Sequence, residues 1–531
     1  MSRPVRSSLN RRKVTFPQLS RKMATTTARE PLAQAKLEEL ADDDARIEEL
    51  SEVTDDDTDE KEQEEFNGDN VHGWLPGKLK PSLPWYFKQA PILHDELLTE
   101  SSELQEAVAD MCKKLINGEE QEILERNSHG IPKLLRHKHI KFLKNILGPY
   151  PAPFQIMDAS RPWILYWGLA GLSCLGYDVS IYKERTIQTF TPLQNATGGF
   201  GGGHGQTSHC AASYAATLSL AIVDGLHMID RKSMWRWLGR VKQQDGGFAM
   251  AENAEEDVRG AYCAMTIVNL LNLPLNLPPD SPANITGQET FLHRLGEWIG
   301  RCQTFEGGIG ESPDNEAHGA YAFCALACLS ILDAPNRSIT KYLNTDRLLS
   351  WLTSRQYAPE GSFSGRTNKL VDACYSHWVG GCWSLLEAAL TGPGSSSQDT
   401  VRITSLWNRE ALVRYTLCCS QAKTGGLRDK PGTRMDGYHT CYSLSGLSAA
   451  QNIWTHLEKE SRTKAPGAEA DITAAGLSAA FDWTARKATR EERKAWAFDE
   501  DDTVGFVHPV FVIPPSAVSR ARQQYQDRVG F

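Results

Sequence analysis

Asp245-Gly-Gly-Phe248 is followed, fourteen residues beyond the phenylalanine, by Tyr262 in Arg259-Gly-Ala-Tyr-Cys-Ala-Met-Thr-Ile-Val-Asn-Leu-Leu271. That run has one charge at its start and an apolar body. The same pairing of a glycine-centred turn with a tyrosine-bearing apolar run occurs five times. The turns are Thr197-Gly-Gly-Phe200, Asp245-Gly-Gly-Phe248, Glu306-Gly-Gly-Ile309, Glu360-Gly-Ser-Phe363 and Thr424-Gly-Gly-Leu427, with spacings of 48, 61, 54 and 64 residues at their apolar ends. The tyrosines are Tyr214, Tyr262, Tyr321, Tyr375 and Tyr442, each 12 to 15 residues past its turn. A long period of this kind marks a repeat architecture.

The runs at 211–222, 259–271, 318–332, 370–390 and 439–453 place apolar residues at three- and four-residue steps, and some faces carry almost no charge. Such helices are buried. A second helix fits before the next turn, as at 232–243 and 288–302, and strand signals are scarce. The unit is therefore a helical hairpin, stacked as an open solenoid or closed into a ring. The near-continuous apolar helices suit an inner ring covered by an outer one.

The chain has 531 residues, ample for a large core, and 40% apolar residues. Residues 1–70 read as a disordered tail, basic then acidic. Residues 1–29 hold eight Lys/Arg and no acid, and 38–65 hold sixteen acids against two bases. The whole chain carries a formal charge of −9, which shows no nucleic-acid footprint. Residues 71–455 form the repeat domain, 456–504 a charged, alanine-rich insertion, and 505–531 a C-terminal segment packing back on it. The twelve cysteines show no paired framework and read as thiols of a cytoplasmic protein. The most apolar stretch, 163–177, is too short to span a membrane and reads as a buried helix.

The chemistry concentrates in Gly365-Arg-Thr-Asn-Lys-Leu-Val-Asp-Ala-Cys-Tyr-Ser-His-Trp378. Arg366 and Lys369, three apart at a helix entry, suit an anionic ligand. Asp372 and Cys374 offer an oxygen and a sulfur to a metal. His439, in Asp436-Gly-Tyr-His-Thr-Cys-Tyr442, occupies a comparable place in its own repeat and supplies a nitrogen. Carboxylate, thiolate and imidazole make a zinc set with an open fourth position, although a satisfied buried histidine is the commoner case. His318 and Arg259 begin two further repeat helices. In a closed ring these polar ends share one rim, with Trp163, Trp167, Tyr214, Tyr262, Trp378, Tyr438 and Tyr442 below, or those aromatics are ordinary core. Asp499-Glu-Asp-Asp502 matches the acid motif of some terpene cyclases but lies outside the repeats.

Residues 198–216, Asp257-Val-Arg-Gly-Ala-Tyr-Cys263, 302–324, 365–378 and 425–451 together resemble the β subunits of protein farnesyltransferase. The resemblance runs over 92–451 and again over 508–525. It implies an all-α fold, an α/α toroid around a central apolar cavity, and an obligate α subunit built of helical hairpins. It implies zinc on Asp372, Cys374 and His439, and the donor's diphosphate on His318, Arg366, Lys369 and Tyr375. Asp429 matches a carboxylate that assists through Mg2+. Trp163, Tyr214, Arg259, Tyr262, Cys324, Trp378 and Tyr442 match isoprenoid positions. Ala159, Ser160, Trp163, Trp167, His209, Ala211 and Tyr438 match the peptide pocket. The implied activity is transfer of a farnesyl group from farnesyl diphosphate to the cysteine of C-terminal CaaX motifs, as on small GTPases. Trp163 and Tyr442 are bulky, and Asp429 is not a lysine, which favours the 15-carbon donor over the 20-carbon donor of a type I geranylgeranyltransferase. Cys210 and Ala212 depart from the family at the peptide pocket. The more distant alternatives are a terpene cyclase-like toroid and a non-enzymatic helical scaffold.

Overall fold

The computed structural model describes residues 98–119, 125–392, 406–457, 474–528 and 530–531. The expected tail at 1–70 and positions 458–473 of the expected insertion lie outside the described residues. A first helix, α1 (Glu100–Ile116), precedes a series of outer–inner hairpins. The first pairs α2 (Arg136–Ile146) with α3 (Arg161–Cys174), and the second α4 (Lys183–Phe190) with α5 (Cys210–Ile222). Next come α6 (Arg231–Val241) with α7 (Val258–Leu270), and α8 (Leu295–Arg301) with α9 (Gly319–Leu332). A short helix, α10 (Pro335–Tyr342), leads to the outer helix α11 (Thr345–Thr353), whose inner partner is split into α12 (Tyr375–Trp378) and α13 (Cys382–Thr391). The last hairpin joins α14 (Arg409–Tyr415) to α15 (Gly437–Gln451).

The inner helices pack in chain order, from α3 through α5, α7, α9 and α12–α13 to α15, and α15 packs back on α3. The ring is therefore closed, an α/α toroid. Composition explains which helices go inside. Neither α5 nor α9 contains a charged residue, and nearly all their side chains are buried, as expected of helices apolar on every face.

The glycine turns hold outer and inner helices in register. In each, the residue leaving the outer helix pairs antiparallel with the turn's apolar end: Gln194 with Phe200, Lys242 with Phe248, Gln303 with Ile309, Gln356 with Phe363, Gln421 with Leu427. Glycine is required at Gly246 because φ is +115° and a Cβ would lie 2.1 Å from the carbonyl oxygen of Arg294, at the start of the next outer helix. Gly425 meets the same constraint against Lys138 of α2, and so joins the last repeat to the first.

Several expectations are corrected. The helix expected at 370–390 is interrupted, because 370–374 form a turn and bridge and Val379–Gly381 break α12 from α13. The helix expected at 439–453 ends at Gln451, and the chain continues as β3 (Asn452–His456) after a short ribbon of β1 (Leu427–Arg428) and β2 (Met435–Asp436). The outer helix expected at 288–302 covers only Leu295–Arg301. Within the charged region, β4 (Trp483–Lys487) pairs antiparallel with β3, and α16 (Arg490–Ala495) follows. Asp502 is buried and accepts from the Asn127 side chain and the Leu134 amide at 2.8 and 2.9 Å. The Asp499–Asp502 run is thus a structural tie, not an acid facing a cavity. The C-terminal helix α17 (Pro515–Tyr525) lies on α5 and α7.

One repeat departs from the rest. Gln194, Gln303, Gln356 and Gln421 each accept from the N-cap amide of the next outer helix, at 2.8 to 3.0 Å. Lys242 stands in that place before α8. Its Nζ donates to the Gly246 carbonyl at 2.6 Å but cannot accept. Arg294, the N-cap of α8, has φ +55° and no side-chain cap. Burial pushes the Lys242 ammonium down to about 7. The unfolded chain keeps that proton to higher pH, so this residue destabilises the fold at and below pH 7, and the penalty fades as pH rises above 7. Lys242→Gln is therefore expected to stabilise by about 1 kcal/mol at pH 6.5, with a smaller gain at pH 9.5. Unfolding temperatures of both proteins at the two pH values check this.

Candidate active site

The residue nine positions past each turn's apolar end stands at the entry of an inner helix: His209, Asp257, His318 and Asp436 as N-caps, and Asp372 two residues before Cys374, the N-cap of α12. Four of these donate their own amide to the turn's apolar carbonyl at 2.9 to 3.2 Å, and Asp436 pairs with Leu427 in the β1–β2 ribbon. Each side chain accepts a helix-end amide, from Ala211, Arg259, Ala320, Cys374 and His439 respectively. The next residue hooks the following repeat. Cys210 donates to Met250, Val258 to Glu311, Gly319 to Gly365 and Ala373 to Asp429, at 2.7 to 2.9 Å. These bonds gather the inner-helix N-termini at one rim, where their amides and dipoles add positive potential.

Asp372, Cys374 and His439 meet on this rim, with their ligand atoms within 4.8 Å of one another. The sequence comparison set His439 against the Asp372/Cys374 pair, but the positional equivalent of Asp372 is Asp436, and His439 lies one turn further into α15. Asp436 was not anticipated. It binds His439 twice, accepting its amide and holding Nδ1 at 2.6 Å, while Nε2 lies 3.3 Å from Asp372 Oδ1. A carboxylate behind a ligating imidazole fixes the ring's orientation and raises its basicity.

The electrostatics agree with a cation site. Burial would lower His439, but the hydrogen bonds its ring donates to the Asp372 and Asp436 carboxylates push it up to about 10. Burial would raise Asp372, but His439 holds it down to about 2. Burial and then Asp372 drive the Cys374 thiol well above its usual range. A divalent cation supplies the missing positive charge and permits thiolate formation. Oxygen, sulfur and nitrogen donors this close fit zinc. Asp436→Ala is expected to weaken zinc binding about 10- to 100-fold, with turnover recovered by added zinc. Chelator titration of wild-type and variant complexes measures it.

Beside the set, burial and then Asp372 raise Asp429 to about 6. One of its oxygens is ion-paired to Lys430, and Oδ1 is buried without a partner. That free oxygen suits a second cation. His318 Nε2 lies 3.1 Å from Tyr375 Oη. Burial and then Arg366 push His318 down to about 4. Arg366 pairs with Glu316 at 3.0 Å, and Lys369 is exposed. Both basic residues sit on the entry loop, not on a helical face. Arg259 is ion-paired to its own cap, Asp257, and lies over the Tyr321 ring.

Inside the ring the aromatics form a closed circuit. Trp163 contacts Tyr214 at 5.9 Å, Tyr214 contacts Tyr262 at 5.3 Å, and Tyr262 contacts Phe323 at 5.9 Å. Phe323 contacts Trp378 at 5.7 Å and Trp378 contacts Tyr442 at 4.5 Å. Tyr438, Trp167 and Trp163 complete it. Trp163, Trp167, Trp378 and Tyr438 are half-buried, whereas Tyr214, Tyr262 and Tyr442 are buried below them. Cys324 is buried within reach of the Arg259 charge. Phe323 was missed, although it stands two residues past the repeat tyrosine of α9. The C-terminal segment closes the far end, since Tyr262 and Tyr166 donate to the carbonyls of Val510 and Val512 at 2.7 and 2.8 Å.

The residues expected at the peptide pocket also cluster. A Cβ at Gly202 would strike the Ala159 backbone at 2.0 Å, and Gln206 donates to Asp158 at 2.6 Å. The loop before His209 and Ala211 therefore lies on Ala159 and Ser160. Trp378 Nε1 donates to Tyr438 Oη at 3.0 Å, tying a residue expected at the isoprenoid wall to one expected at the peptide pocket.

Fold and rim together define a prenyltransferase α/α toroid. The family described as "Prenyltransferase alpha-alpha toroid domain" matches residues 134–513. The protein farnesyltransferase subunit beta of Pyricularia oryzae is 49% identical over 471 residues, 86% of this chain and 88% of the relative. That of Schizosaccharomyces pombe is 38% identical over 66% of this chain and 85% of the relative. The geranylgeranyl transferase type-1 subunit beta of Arabidopsis thaliana is more distant, 27% identical over 59% of this chain and 84% of the relative. The chain belongs to the protein farnesyltransferase β-subunit family. A solved structure, Candida albicans protein geranylgeranyltransferase-I complexed with GGPP, aligns over 74% of this chain and 99% of that one, with a TM-score of 0.53 and 20% identity. It shows the shared fold.

Proposed function

We propose that this chain is the catalytic β subunit of a heterodimeric, zinc-dependent protein farnesyltransferase that modifies the cysteine of C-terminal CaaX motifs. The observation that carries this is the Asp372–Cys374–His439 set opening onto an aromatic-lined toroid. The aromatic circuit takes the apolar chain of farnesyl diphosphate, with Trp163 and Tyr442 limiting its length. His318, Tyr375, Arg366 and Lys369 hold the diphosphate at the rim and stabilise the charge that grows on it as the carbon–oxygen bond breaks. Asp372, Cys374 and His439 would hold zinc, whose charge would lower the pKa of the substrate thiol. Asp436 keeps His439 turned toward that site. Ala159, Ser160, His209 and Ala211 bound the CaaX end, with Trp167 and Tyr438 as its wall. Asp429 would hold magnesium, which supplies further neutralisation of the leaving group.

An α subunit completes the enzyme. A cytoplasmic setting suits the cysteines, because none of the twelve forms a disulfide and all are buried. Among the described residues no helix is long and apolar enough to cross a membrane. The test is a competition between 15- and 20-carbon diphosphates for one CaaX peptide, using this chain co-expressed with an α subunit. One zinc per heterodimer and a strong 15-carbon preference are expected. Trp163→Thr with Tyr442→Phe is expected to cut that preference at least about tenfold. A wild-type preference for the 20-carbon donor would move the chain to the type I geranylgeranyl class, and absence of both zinc and transfer would remove the enzymatic reading.

A further inference from the structure

We infer that His377 is a positioning residue that sets the longest donor accepted, by wedging the Tyr442 ring against the end of the isoprenoid. The inference rests on the farnesyl reading above and identifies what holds the chamber's limit in place. His377 lies on α12, buried at 4% exposure. Its imidazole is stacked on Tyr442 of α15, with centroids 5.2 Å apart and planes 27° apart. It also meets Phe323 of α9, with centroids 4.5 Å apart. It thus fills the gap between two walls of the aromatic circuit. The Tyr442 ring in turn touches the half-buried wall residues Trp378 and Tyr438, at 4.5 and 4.9 Å.

The backbone behind Tyr442 has no slack. A Cβ at Gly446 would lie 2.2 Å from Ser376 Oγ, so α15 and α12 are already in closest approach there. Ser376 Oγ donates to the Tyr442 carbonyl at 3.2 Å. Removing the imidazole therefore leaves the helix in place and gives the room to the Tyr442 ring, which drops and lengthens the chamber. The imidazole serves by bulk. Its Nε2 is buried without a hydrogen-bond partner, an arrangement that destabilises relative to an apolar ring of similar shape.

The experiment uses the co-expressed heterodimer and the same donor competition, with kcat and KM measured for each diphosphate. His377→Ala is expected to lower the 15-over-20-carbon preference about tenfold, through the 20-carbon KM, with kcat on the 15-carbon donor little changed. His377→Phe is expected to retain the preference within about twofold and to raise the unfolding temperature. If His377→Ala does not assemble, His377→Val is read in its place. An assembled small variant with wild-type preference overturns the inference, as does loss of preference in His377→Phe. Absence of transfer by the wild-type complex overturns the farnesyl reading and this inference together. A wild-type preference that falls in Trp163→Thr with Tyr442→Phe but holds in His377→Ala overturns the wedge alone.

Discussion

Replacing Cys374 by alanine is expected to strip zinc from the heterodimer and reduce prenyl transfer on the order of a thousandfold or more, while farnesyl diphosphate still binds. Two effects combine. Without the metal the substrate cysteine returns to a thiol pKa of about 8.5, so only a few per cent is thiolate at pH 7. It also loses its anchor, and orientation of a nucleophile contributes several further powers of ten. Donor binding is expected to survive because the proposed diphosphate-binding groups are separately supported. His318 is fixed as the α9 cap, and Arg366 by Glu316. The readouts are metal content, equilibrium binding of the diphosphate, and single-turnover transfer. Transfer near the wild-type rate by a zinc-free variant would remove the thiolate mechanism. Joint loss of zinc and donor binding would show instead that Cys374 holds the rim's structure.

The inner ring was legible because its helices are apolar on all sides, a signal that survives in one sequence. The turns were legible because they demand glycine. The interruption at Val379–Gly381 was not, since its flanks are as apolar as a continuous helix and only Gly380 and Gly381 mark it. Periodicity cannot separate two short buried helices from one long one. The Asp372–Cys374–His439 cluster was legible through the resemblance, since residue type alone left a satisfied buried histidine as the commoner case, whereas Asp436 was not. It is one of five helix-entry residues at a constant nine-residue offset, but these comprise two histidines and three aspartates. Histidine is not among the favoured capping residues, so no single residue type displays the pattern. Phe323 and His377 were hidden for a different reason. Their importance is a matter of which ring touches which, and that depends on three helices brought together from Gly319 to Gln451.

The second large effect concerns closure of the ring. Gly425→Val is expected to prevent assembly of a folded heterodimer, or to lower its stability by about 4 kcal/mol or more. The residue has φ +109°, a conformation that a β-branched side chain scarcely adopts. Its missing Cβ would sit 2.3 Å from the Lys138 carbonyl oxygen and 3.2 Å from the Lys138 Cβ. A carbonyl in the first turn of α2 cannot rotate away without breaking that helix. The same approach recurs at Gly198, Gly246 and Gly307. At those sites the strain falls between neighbours in the chain, which remain tethered by the intervening hairpin. At Gly425 it falls between the last turn and the first outer helix, so the strain opens the ring at its seam. The seam carries function as well as stability. Leu427 and Asp429 follow directly, and the Asp429 carbonyl accepts the Ala373 amide between the proposed zinc ligands Asp372 and Cys374. Opening the seam should therefore loosen zinc before the remaining hairpins unfold. Gly425→Ala, which shares the clash but not the β-branch, is the graded version. Thermal unfolding followed together with zinc release should show the metal leaving at lower temperature than in the wild type. Simultaneous loss of zinc and helicity in the variant, at the wild-type temperature, would show that the seam tolerates the side chain and that closure rests elsewhere.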